Sequence, residues 1–215
     1  MTDIFQEIDE ELRRDRIVQL WQRHRWAVYA VAGLIVVGTF AADRWRAWQR
    51  DQQMALATRF TEADILSSTD APKAVPQLEV LAAAGSDGYA LMARFRAAAL
   101  KAKTGDKPGA VAGFDAIAAD GGVDQAYRDM ATIQSALLQV DTAPKDQLLS
   151  KVEKLTVAPN PWRFSAVEVS ALADLKAGDK DGAQKLYKQL ADDADAPQSI
   201  RSRASEVLQA LHQQG

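Results

Sequence analysis

The chain has 215 residues, no cysteine, two histidines and a net charge of −3. That excludes disulfides, thiolate metal sites, cysteine nucleophiles and a lipid anchor on cysteine, and no basic excess points to nucleic acid. The length allows one domain with a real core beside a shorter N-terminal part.

Residues 1–25 read as an amphipathic head. Phe5, Ile8 and Leu12 are spaced by three and four, Ile17, Leu20 and Trp21 extend the stripe, and Thr2 or Asp3 can cap it. The stripe suits either a helix lying on a membrane surface or a contact site for another protein.

Residues 26–42 contain no charged side chain, and Arg25 and Asp43 close the run. A spanning helix needs roughly 20 apolar residues, with a lower limit of about 17. Arg25 and Arg44 can snorkel and lengthen a short span. Trp26 at one border and Trp45 and Trp48 at the other match an aromatic belt. Asp3, Glu7, Asp9, Glu10, Glu11 and Asp15 precede the run, whereas a signal peptide leads with a short basic region. The expectation is therefore a retained transmembrane helix over 26–42. The flanking arginines are nearly balanced. Because long domains translocate largely regardless of charge, the short head is the expected cytoplasmic end. Gly38-x-x-x-Ala42 is a small-residue pair of the kind that seats a neighbouring helix.

Beyond the run the spacing predicts a helix continuing through Asp51 toward Leu66, and then only helices. Gly, Pro and Asp clusters interrupt helical stretches at 68–72, 85–88, 104–109, 120–122, 141–144, 158–161, 178–182 and 192–197. Each is a helix stop followed by a start, which gives about nine short helices.

The turns repeat. Gly105-Asp-Lys and Gly178-Asp-Lys are near copies, followed at fixed spacing by Ala110, Phe114, Ile117 and by Ala183, Tyr187, Leu190. The same spacing from Ala143 gives Leu148, Val152 and Leu155, and from Thr69 it gives Ala74, Leu78 and Leu81. The four anchors recur at roughly 36 residues, close to the 34-residue tetratricopeptide period. Ala98, Ala136 and Ala171 mark the preceding helices, while the first unit departs, with Glu62 at that position and Ala63 beside it. Small residues on both helices of a pair let the backbones approach, and the larger residue one turn on fills the gap to the next pair. Residues 52–212 resemble the tetratricopeptide family. The full Trp, Leu-Gly, Tyr set of the first helix is missing from every unit, and the third turn lacks glycine. The expected fold is all-α: one transmembrane helix, then an α-solenoid of degenerate helix pairs over 43–215.

First helices of such solenoids line a concave face that holds the ligand. The alanine marks place Met92, Phe95, Met130, Ile133, Leu137, Val140, Leu172 and Leu175 near that face or directly beneath it. A groove of these residues suits an apolar helix or extended segment. The same spacing also suits plain core packing. Arg94, Arg96, Lys101 and Lys103 read as a solvated face of one helix.

Chemistry finds little support. His24 and His212 are far apart, and no Walker loop, HExxH or dinucleotide fingerprint occurs. The expectation is a non-enzyme with no cofactor and no metal.

Finally, Met-Thr-Asp-Ile-Phe-Gln-Glu-Ile-Asp-Glu-Glu-Leu-Arg-Arg-Asp at the start, and Leu-Trp-Gln-Arg-His-Arg-Trp from Leu20, resemble the YfgM-type ancillary subunits of the SecYEG translocon. The resemblance covers nearly the full length through architecture and head sequence. It implies a bacterial inner-membrane protein with a cytoplasmic N-terminus and a periplasmic repeat domain. Its implied partners are SecYEG and a membrane-anchored periplasmic chaperone such as PpiD. The alternative is a scaffold for cytochrome c maturation, cell division or outer-membrane assembly.

Overall fold

The computed structural model describes residues 3–84 and 88–213; the side chains of residues 3–25, Ala27, Val28 and Ala32 lie outside the described set. Among the described residues there are helices and no strand. In order they are α1 (Asp3–Thr69), α2 (Ala71–Ala83), α3 (Gly88–Lys103), α4 (Lys107–Ala119), α5 (Gln125–Gln139), α6 (Lys145–Val152), α7 (Arg163–Lys176), α8 (Lys180–Asp192) and α9 (Gln198–Gln213). A short 3₁₀ turn, Glu153–Leu155, follows α6. The chain divides into two compact units, Met1–Ala55 and Leu56–Gly215.

The first unit is helical from Asp3. The apolar stripe expected on the head lies outside the described side chains. Leu34, Ile35, Val36 and Val37 are all exposed, so four successive positions present large apolar groups around the whole circumference. Phe40, Trp45 and Trp48 are exposed as well. Among the described residues no helix is long and apolar enough to cross a membrane. Ala27, Val28 and Ala32, which belong to the expected span, are outside that set.

The second unit is a stack of helix pairs: the end of α1 with α2, joined through Ala63, Ala74 and Leu78, then α3 with α4, α5 with α6 and α7 with α8. The chain then ends on α9, which packs against α8 and α7. Every repeated apolar position of the second helices is buried: Ala74, Leu78 and Leu81; Ala110, Phe114 and Ile117; Leu148, Val152 and Leu155; Ala183, Tyr187 and Leu190. On the first helices Ala98, Ala136 and Ala171 are buried too. In the first pair Ala63 takes this role and Glu62 points to solvent, a shift of one residue.

The two Gly-Asp copies are the same device. Gly105 and Gly178 have φ of +94° and +82°, the left-handed region where a Cβ is penalised. The Gly105 N–H donates to the Ala102 carbonyl and the Asp106 N–H to the Lys101 carbonyl; the Gly178 and Asp179 N–H groups donate to Leu175 and Asp174 in the same way. This is a Schellman ending. The aspartate that completes it caps the next helix, accepting from the Gly109 N–H in one copy and the Gly182 N–H in the other. Two residues thus stop one helix and start its partner. The third pair, without glycine, turns through Val140 and Pro144, and Pro144 offers α6 no side-chain cap.

Consecutive pairs are also tied at one repeat interval. Lys145 pairs with Asp179 34 residues on, Asp115 with Lys151 36 residues on, and Glu168 with Arg203 35 residues on. Asp141 with Lys176 spans the same interval.

Candidate functional site

The first helices of the first three pairs enclose a cavity of about 600 Å³. Phe60 comes from α1, Leu91, Met92, Phe95, Arg96 and Ala99 from α3, and Tyr127, Met130 and Gln134 from α5, with Phe114 of α4 among the lining. The size and the preponderance of apolar and aromatic walls are those of a ligand pocket. Aromatic rings pack against one another at its wall. Phe95 lies 6.0 Å from Phe114 and 6.4 Å from Tyr127, both tilted, and Phe60 lies 6.2 Å from Tyr89.

Met92, Phe95 and Met130 line this cavity. Ile133 and Val140 are buried in the core of the third pair, and Leu172 packs against the same core. Leu175 packs against the core of the last pair. Leu137 is exposed, but not in the cavity wall. The cavity therefore occupies the first three pairs rather than running the length of the stack. Helical spacing alone does not tell a wall from a core, because both recur every three or four residues. Phe60, Leu91, Tyr127 and Gln134 were not expected. The 127, 130, 134 spacing was there to be read, but only the packing shows that it faces Leu91, Met92 and Phe95.

Of the basic stretch on α3, Lys103 is exposed as expected, while Arg94, Arg96 and Lys101 are engaged in ion pairs. Arg94 donates to Asp120 at 2.7 Å, Arg96 pairs with Asp64 at 2.7 Å, and Lys101 pairs with Glu79 at 2.6 Å. One helix thus reaches α1, α2 and the end of α4: Arg94 and Lys101 lie two turns apart on one face and meet different partners along it, while Arg96 leaves on another side. Arg94 and the Gly122 N–H hold Asp120 below the usual carboxylate range.

Buried Ser135, Asp129 and Asp174 bind elements of the stack to one another. Ser135 donates to Asp115 at 2.6 Å, and Lys151 donates to both, at 2.7 Å to Asp115 and 2.8 Å to Ser135, tying α4, α5 and α6. These are atoms that a nucleophile and base would use, yet Ser135 has 0 % exposure and no substrate reaches it. Asp129 accepts from Gln125 at 2.6 Å and Asn160 at 2.7 Å, and the Trp162 indole N–H donates to the Ala126 carbonyl at 2.8 Å, fixing the loop before α7 on α5. Asp174 pairs with Lys145 at 2.7 Å. Asp174, then Asp179, push the Lys145 ammonium well above the usual lysine range, and Lys145, then the Gly182 N–H, hold Asp179 low. Among the described residues no group of His, Asp or Glu could hold a metal ion.

The buried repeat positions, the paired helices and the first-helix cavity have a counterpart among known families: a tetratricopeptide repeat-like domain model matches residues 19–213. The chain belongs to the tetratricopeptide repeat-like domain family. No curated protein and no solved structure matches it. Tetratricopeptide-like stacks are scaffolds for protein partners, and their concave face is where partners usually sit. In this chain the first helices of the first three pairs carry the apolar cavity.

Proposed function

We propose that the chain is a membrane-anchored, non-enzymatic protein-docking module, an ancillary subunit of the SecYEG translocon that links it to a membrane-anchored periplasmic chaperone such as PpiD. The observation that carries the docking role is the apolar cavity lined by Phe60, Met92, Phe95 and Met130, on the first helices of the repeat stack.

Anchoring is supported by the uncharged run 26–42. A helix with Leu34, Ile35, Val36 and Val37 exposed on every side needs an apolar surrounding. At 1.5 Å per residue the run is about 25 Å long, close to the roughly 30 Å hydrocarbon core once Arg25 and Arg44 snorkel. In this reading residues 1–25 are a cytoplasmic head, 26–42 cross the inner membrane, and 43–215 work in the periplasm. The partners come from the likeness of the head to YfgM-type proteins. The mechanism is binding alone: tethering to the bilayer raises the local concentration of the docking surface for partners that share the membrane.

The test uses the full chain with a C-terminal tag in a Gram-negative cell. Carbonate extraction leaves the protein in the membrane pellet, protease added to spheroplasts removes the tag, and solubilised membranes return SecYEG and the chaperone with it. A tag protected in spheroplasts, or release by carbonate, contradicts the anchor and its orientation. Recovery of division or cytochrome-assembly proteins alone contradicts the translocon assignment and favours the alternative scaffold.

A further inference from the structure

The repeat stack is closed at one end and open at the other. Glu62 of α1 stands one repeat before Ala97, and Ser135 and Ser170 hold the same place in the last two pairs. Those three are buried: Ala97 in the core it shares with the first pair, and Ser135 against Asp115 of the second. Glu62 is exposed, because no helix pair comes before it. With Arg59, Gln77, Val80 and Ala84 it lines a hollow of about 240 Å³. The far end carries α9, which packs on α7 and α8. Solenoid ends need polar caps, and the open end here is not wholly polar.

Its side chains depart from the later pairs in two ways. Val80 is 69 % exposed, at the place where Ala116, Lys154 and Gln189 stand in the later pairs. Ile65, three residues beyond Glu62 along α1 and so its neighbour on the helix surface, is 64 % exposed. This end of the stack therefore shows two large apolar groups. The second departure is electrostatic. Arg94, one repeat after Arg59, is held at 2.7 Å by Asp120, the residue that ends α4. Ala84 ends α2 at that place, so Arg59 lacks this acid. Among the described residues neither Arg59 nor Glu62 has an ion pair.

A face with one unpaired cation, one unpaired anion and two apolar groups is complementary to itself. Across a two-fold axis Arg59 of each copy meets Glu62 of the other, so each contact is made twice. Head-to-tail stacking is closed off, since α9 occupies the other end. We propose that a second copy of this chain covers the open end, face to face through Arg59, Glu62 and Val80, and that the protein is a closed two-fold dimer. The inference goes beyond the docking role and does not depend on what occupies the cavity.

The chain has no cysteine, so Val80→Cys gives the full chain a single thiol. A short, membrane-permeable bismaleimide is added to intact cells. The expected product is a dimer of this chain joined at position 80 of both copies, identified by mass spectrometry. Lys188→Cys, exposed on α8, gives none above background. In the Val80→Cys chain, Arg59→Glu leaves only acids facing each other and Glu62→Arg only cations. Each lowers the dimer yield about fivefold, since the two-fold axis doubles the effect of one surface ion pair. The two together restore it, because each charge again meets its opposite. Both positions are exposed, so the fold stands in every variant. No dimer from position 80, equal dimer from position 188, adducts of position 80 with other proteins alone, or a double variant no better than the single ones overturns the inference. If the dimer is missing while SecYEG and the chaperone still co-purify, the inference fails alone and the docking reading stands.

Discussion

Ala98 on α3 and Gly113 on α4 meet so closely that a Cβ built on Gly113 would stand 3.0 Å from the Ala98 Cβ. This contact sets the spacing within the second pair, and the cavity lies on the same α3. Gly113→Leu overpacks it and lowers stability by about 2 kcal/mol, read from the denaturant midpoint of the full chain in detergent. Gly121→Ala is the control: a Cβ there meets nothing within 4 Å and φ is not positive, so the midpoint does not fall.

Gly178 ends α7 at φ +82° with open space around it. Its substitution by alanine therefore reports backbone strain without a clash. Gly178→Ala lowers stability by about 1 kcal/mol, and Gly105→Ala does the same by the same measurement, because the two turns share one geometry.

Asp129 is nearly fully buried and is the acceptor for both Gln125 and Asn160. Asp129→Ala leaves two donors without a partner and costs about 2 kcal/mol. Combined with Asn160→Ala the loss is smaller than the sum of the two single losses, since both remove the same bond. Strict additivity in that double-mutant cycle contradicts the assignment.

Tyr187 fills the core between α7, α8 and α9, and burial, helped by the nearby Glu168 charge, pushes its phenol up to about 12 from 10.0. The folded state therefore holds this proton more tightly than the unfolded state. The resulting stability is complete below pH 10 and is lost as pH rises toward 12. Alkaline titration of absorbance shows a late tyrosine step, and Tyr187→Phe removes that step and part of the fall in stability over this window.

Much of the stack was legible because each second helix repeats a small residue, then a large one, then an aliphatic one, and Ala74, Phe114, Val152 and Leu190 are buried as that pattern requires. The one-residue shift from Glu62 to Ala63 was legible as an irregularity but not as a direction. The cavity was only half legible. Met92, Phe95 and Met130 line it, but Ile133 and Val140, in the same periodic stripe, are core. Which side of a stripe meets the next pair depends on how pairs rotate against each other, and no local spacing encodes that rotation. The charges of α3 misled for a similar reason. Asp64, Glu79 and Asp120 come from three other segments, and their convergence on one helix is a product of the stack.

The central claim is that partners dock in the cavity between α1, α3 and α5. A photo-crosslinking amino acid replaces Met92 in intact cells, and in a parallel strain replaces Val80, which is exposed on α2 outside the cavity. The account predicts adducts from position 92 that contain the chaperone or SecYEG subunits, and few of that kind from position 80. Equal adducts of that kind from both positions, or from position 80 alone, contradict it.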